Sequence, residues 1–154
     1  MSYEARIDLP CDIRDRSAAL LQARLGDALD LQARLNEAHW HVKGWQALPL
    51  HALFDGLRGE VDDMVSLIVG RIAALGGLAD GAGVATTSAL YQYPPQVRSG
   101  EAHLAALATS FARFGTQLRD DSDAVAGWGD AATAEVFARI ADAADRQLRV
   151  LATR

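Results

Sequence analysis

A short stretch of this chain carries His39, Trp40, His41, His51 and Asp55, and these are the residues most able to do chemistry. On a helix, His51 and Asp55 are four apart and share one face. At about 100° per residue, Asp62 and Ser66 return to nearly the same stripe. Imidazole serves iron and zinc, and a carboxylate favours the harder ion, so the chemistry offered is coordination of one of these metals. A His-x-x-x-Asp pair is equally a capping or helix-surface pair. The spacing alone leaves both readings open.

Long helices are the elements that must position these residues. Alanine and leucine dominate, and only 4 prolines interrupt 154 residues, a bias that favours helix. Residues 1–14 lack helical periodicity and read as an extended arm, with 15–154 as one domain. Asp15 stands where it could cap the first helix. Leu21, Leu25, Ala28, Leu31, Leu35 and Ala38 then form one apolar stripe, ending near Trp40–Lys43 with Gly44 in a terminating position.

A second helix starts at Pro49 and runs through Leu53, Leu57, Val61, Val65, Ile68 and Ile72 to Leu75, before Gly76 and Gly77. Its interior glycines, Gly56, Gly59 and Gly70, each cost about 1 kcal/mol against alanine, a cost that neighbouring helices are expected to offset. Residues 77–99 are longer than a hairpin needs, which predicts a crossover with a short helix near Ser88–Tyr91. A third helix is predicted over Gly100–Arg119, burying Leu104, Leu107, Phe111 and Phe114. Asp120–Asp130 reads as an acidic loop, and a fourth helix covers about Ala131–Leu151 through Val136, Ile140, Ala144 and Leu148. Four long helices with a long crossover between the second and third predict an all-α, ferritin-like four-helix bundle.

Bulk properties narrow the class of partner. The apolar fraction of 50% and charged fraction of 23% are ordinary for a soluble domain. A net charge of −5, with 15 basic residues scattered among acids and Lys43 as the single lysine, argues against DNA binding, which needs basic side chains to displace phosphate counterions. Met1–Arg16 sets three arginines against four acids, and only Arg149 and Arg154 follow Leu148. Cys11, the one cysteine, calls for no oxidising compartment. No apolar core of signal-peptide type lies in Met1–Arg16, and Met64–Leu75 is broken by Arg71 and too short to span a bilayer. A cytoplasmic protein is expected.

Ala38-His39-Trp40-x-Val42-Lys43-Gly44, then Leu50-His51-x-Leu53-Phe54-Asp55 and Arg71-Ile72-x-Ala74-Leu75-Gly76-Gly77, resembles the signature of the Dps family, ferritin-like mini-cages that protect DNA during starvation and oxidative stress. Tyr93-Pro94, His103-Leu104 and Asp145-x-Gln147-Leu148 extend the similarity over nearly the whole chain. The resemblance implies a hollow dodecameric shell that oxidises Fe(II) with hydrogen peroxide and stores ferric mineral. It implies metal ligation by His39, His51 and Asp55 of one subunit, with two carboxylates from the second helix of a neighbour across a two-fold interface. Those two positions fall here on Ser66 and Gly70, neither of which can hold iron as a carboxylate does.

Anionic oxygens favour the ferric product by neutralising its charge, so their loss implies impaired ferroxidase activity. Asp62, with Asp63 beside it, is a candidate substitute that must reach across about 6 Å of helix rise. The alternative is a non-catalytic cage or hetero-assembly subunit that has lost the site, or one that binds zinc or a single iron weakly through His39, His51 and Asp55.

Other residues carry weaker expectations. The resemblance places Trp40 beside the site, where a packing role is expected ahead of a redox one, and His41 is expected to be exposed. His103 has no derivable role, and Cys11 is expected to be a packed or half-exposed thiol. Asp120, Asp121, Asp123 and Asp130 read as a solvated loop. The resemblance adds a second reading for Asp130, as a pore-lining carboxylate that draws cations inward.

Overall fold

Apolar stripes repeating every three or four residues become four helices in the computed structural model, which describes residues 8–42, 47–81 and 99–153. They are α1 (Cys11–His41), α2 (Leu48–Ala74), α3 (Gly100–Gly127) and α4 (Ala131–Ala152). No strand occurs among the described residues, and the all-α reading holds. No helix among them is long and apolar enough to cross a membrane.

The helix ends have identifiable causes. Ser99 Oγ accepts the Ala102 N–H at the start of α3, and Asp130 Oδ1 accepts the Thr133 N–H at the start of α4. Gly76 (φ 87°) and Gly129 (φ 92°) adopt the left-handed backbone that lets the chain leave α2 and α3. Two expected boundaries are corrected. Helix α1 begins at Cys11, with Pro10 at its N-cap position, so Asp15 is inside the helix and residues 11–14 are not part of an arm. Helix α3 continues past Arg119 to Gly127, so Asp120, Asp121 and Asp123 are helical and not on a loop. Val125, fully buried, anchors that last stretch to the core. The expected short helix near Ser88–Tyr91 and the terminating role of Gly44 lie outside the described residues.

Contacts at the two ends of the bundle give its topology. At one end, Arg71 of α2 reaches Thr133 and Asp130 at the start of α4, and the Arg16 guanidinium lies 4.0 Å over the Trp128 ring between α3 and α4. At the other end, a Leu50 methyl of α2 leaves no room for a Cβ at Gly100, with Val42 close by. Hence α1 and α2 are antiparallel, α3 runs parallel to α2, and α4 returns antiparallel to α3. Helix α3 therefore starts at the end of the bundle opposite to where α2 stops, separated by about 40 Å of helix. Only a long crossover makes that connection.

The core is continuous from end to end. Leu21, Leu25, Ala28, Leu31, Leu35 and Ala38 of α1 meet Phe54, Leu57, Val61, Met64, Ile68 and Ile72 of α2. Phe111, Phe114 and Leu118 of α3 and Phe137, Ile140 and Ala144 of α4 close the other side. Each fully buried large side chain contributes about 1.5–3 kcal/mol by leaving water.

The interior also contains charge. Arg24 of α1 lies 3.3 Å from Asp27 and 3.2 Å from Asp121 of α3, and all three are largely buried. Arg71 and Asp130 form a second such pair at 3.2 Å. By contrast, Gly56, Gly59 and Gly70 of α2 are exposed, with nothing within 4 Å of a Cβ built at any of them. Neighbouring helices offset their cost through the buried opposite face of α2, not through contacts at the glycines themselves.

Candidate metal centre

Helix α1 ends and α2 begins at the same end of the bundle, and this brings His39, in the last turn of α1, against His51, in the first turn of α2. Their imidazoles stack with centroids 4.3 Å apart and planes at 24°. His51 Nε2 lies 2.7 Å from the Val42 carbonyl oxygen. A carbonyl only accepts, so Nε2 carries the proton and donates it, which leaves Nδ1 with the lone pair in the neutral ring. One turn along α2, Asp55 Oδ1 sits 3.6 Å from His39 Nε2, beyond hydrogen-bond length, and 3.3 Å from an Arg58 guanidinium nitrogen. The Asp55 side chain is 58% exposed and that of His39 is 31% exposed.

The structure thus gathers the two imidazoles and the carboxylate on one accessible surface. Their donor chemistry fits iron or zinc. Their present geometry is not chelating: among the described residues no three His, Cys, Asp or Glu side chains converge as metal ligands. The cause is local, since the rings face each other, His51 is tied to Val42, and Asp55 turns toward Arg58.

Ser66 and Gly70 lie exposed further along α2, where no carboxylate stands. Asp62 and Asp63 are also exposed, and the Gln32 amide of α1 donates to Asp62 Oδ1.

Asp130 is 1% exposed, caps α4 and pairs with Arg71. Burial raises its pKa, but hydrogen bonds from Thr133 and Ser17 and the Arg71 guanidinium outweigh burial and hold the carboxyl below its ordinary value. A carboxylate so engaged serves the fold of the protomer. Asp121 goes the other way: burial raises it, Arg24 opposes, and the carboxylates of Asp120 and Asp27 add to the rise.

Three further residues differ from expectation or were silent in the sequence. Trp40 is 67% exposed, so it does not pack within the protomer. Cys11 is exposed, its sulfur 3.8 Å from Asp15. His103 is fully buried on α3, its ring centroid 5.8 Å from that of His41. No periodicity argument finds such a histidine, because a polar residue on the apolar stripe reads as an interruption.

Comparison with known proteins gives a consistent answer. Residues 18–153 match the ferritin-like domain family. The DNA protection during starvation protein of Agrobacterium fabrum is 30% identical over 152 residues, covering 96% of this chain and 92% of that one. DpsC from Streptomyces coelicolor superposes with a TM-score of 0.90 at 23% identity, covering 99% of this chain and 91% of that chain. Dps from Thermosynechococcus elongatus does so with a TM-score of 0.83 at 18% identity, over 92% and 91% of the two chains. The chain belongs to the Dps family of ferritin-like proteins.

Proposed function

We propose that this chain is a subunit of a dodecameric Dps-type mini-ferritin, binding Fe(II) at a two-fold interface with weakened ferroxidase and storage activity. One observation carries the reading. His39, His51 and Asp55 meet on an exposed surface, while the outward face of α2 offers serine and glycine at positions 66 and 70. His51, oriented by the Val42 carbonyl, presents Nδ1, His39 a second nitrogen, and Asp55 an anionic oxygen. Iron is the substrate: two Fe(II) each give one electron to hydrogen peroxide, whose O–O bond breaks to leave two hydroxides. With Asp55 as the one carboxylate, the rising charge of the ferric product is poorly neutralised. Zinc is the alternative occupant of the same three residues.

Protection in this reading comes from removing iron and peroxide in the cytoplasm, without direct DNA binding, given the net charge of −5. Asp130 enters as a structural residue and not as a pore anion, because its carboxylate is buried on Arg71. The test follows ferric absorbance after mixing the protein with Fe(II) and hydrogen peroxide. A slow rate above the protein-free control, lost in the His39→Ala, His51→Ala double variant, is expected.

A rate no higher than the control removes the enzymatic part. It leaves the second reading, a non-catalytic cage or hetero-assembly subunit, which Ser66 and Gly70 favour. Two-metal occupancy at the interface of the homo-oligomer would eliminate that second reading.

A further inference from the structure

We propose that His41 and His103, with Glu37, form a second divalent-cation site of zinc type, separate from His39, His51 and Asp55, where the end of α1 meets the start of α3. Both imidazoles come from described helices, and their ring centroids lie 5.8 Å apart with planes at 50°. Two imidazoles sharing a tetrahedral zinc, at Zn–N of about 2.0–2.1 Å, have centroids about 5–6 Å apart. The pair therefore already stands at the spacing of two ligands of one ion. The His39–His51 pair, stacked at 4.3 Å and 24°, does not.

The two histidines play different parts. His103 is fully buried in the first turns of α3, so packing around it holds its ring in place. His41 ends α1 and is exposed, and the broad χ2 torsion of histidine lets its ring turn toward an arriving ion. Glu37 is one turn before His41 on the same face of α1 and supplies the carboxylate, now shared with Arg34 at 3.6 Å. The three do not converge in the present geometry, so the site closes on binding and water fills the remaining position. Two imidazoles select a borderline ion such as zinc over calcium or magnesium. An ion held there joins α1 to α3 at the end of the bundle where the long connection arrives.

The proposal does not rest on the iron reading, and its test separates them. Zinc alone is titrated into the full-length His39→Ala, His51→Ala variant, with and without His41→Ala. One zinc per chain is expected in the first, with affinity falling about tenfold or more when His41 is removed and less in Glu37→Gln. The unaltered protein, crystallised with zinc, should show an anomalous-scattering peak between His41 and His103, which keeps the test independent of how the variants fold. Zinc binding unchanged by His41→Ala, or anomalous density confined to His39 and His51, overturns the proposal.

Discussion

His39 and His51 stack face to face at 4.3 Å, tying the last turn of α1 to the first turn of α2. The contact holds two imidazoles side by side while the Val42 carbonyl holds the second ring. Replacing His51 with alanine leaves that carbonyl without its imidazole donor, at a cost of about 1 kcal/mol. His39→Ala and His51→Ala should each weaken Fe(II) binding by about tenfold or more, as read by equilibrium binding, while urea midpoints shift modestly. Unchanged iron affinity in both variants would remove these residues from the site.

If the missing anions limit the reaction, restoring them should show it. Gly70 and Ser66 are exposed, and nothing lies within 4 Å of a Cβ at Gly70, so larger side chains fit without clash in the protomer. The Ser66→Asp, Gly70→Glu double variant should raise the rate of Fe(II) oxidation by about tenfold or more, equivalent to about 1.4 kcal/mol. Equal rates in stopped-flow absorbance would show that the defect lies elsewhere.

Asp121 and Asp130 should respond to acid with opposite signs. Asp121 is raised by burial, so the folded chain takes up its proton more readily than the unfolded chain. Its contribution grows as pH falls through the folded value and is complete below the unfolded value of about 3.9. Asp130 is lowered, so its contribution is present above about 3.9 and is lost as pH falls through the folded value. Urea midpoints measured against pH should therefore show Asp121→Asn losing ground to the parent chain as pH drops toward 4. Asp130→Asn should instead converge on the parent chain as pH falls below about 4. Parallel profiles for both variants would contradict the assigned causes.

Removing Asp130 altogether takes away the α4 cap and leaves Arg71 without its buried carboxylate. Asp130→Ala should cost about 2–4 kcal/mol by chemical denaturation. A loss below about 0.5 kcal/mol would place the residue at the surface, as a pore reading requires.

The exposed glycines of α2 offer a separate check. With open space around its Cβ, Gly59→Ala should stabilise the folded protomer by about 0.5–1 kcal/mol through helix propensity. A loss of stability or of assembly size by light scattering would show instead that a partner helix rests on that face.

Residue order alone determined the four long helices among the described residues, their apolar stripes and the need for a long crossover, because a 3.6-residue repeat is written locally along the chain. It also carried His39, His51 and Asp55 as a group, since a short junction between two antiparallel helices brings their adjoining ends together. Only the tertiary structure decided the rest. Asp120, Asp121 and Asp123 read as loop residues because their charges look solvated, yet Arg24, far away in sequence on α1, pairs with Asp121 in the interior. Asp130 turned from a surface anion into a buried cap by meeting Arg71 of α2. His103 gained a neighbour in His41 only when α3 started beside the end of α1. Each of these depends on a partner from another helix, and the sign of a buried charge's contribution is set by that partner, which no local pattern contains.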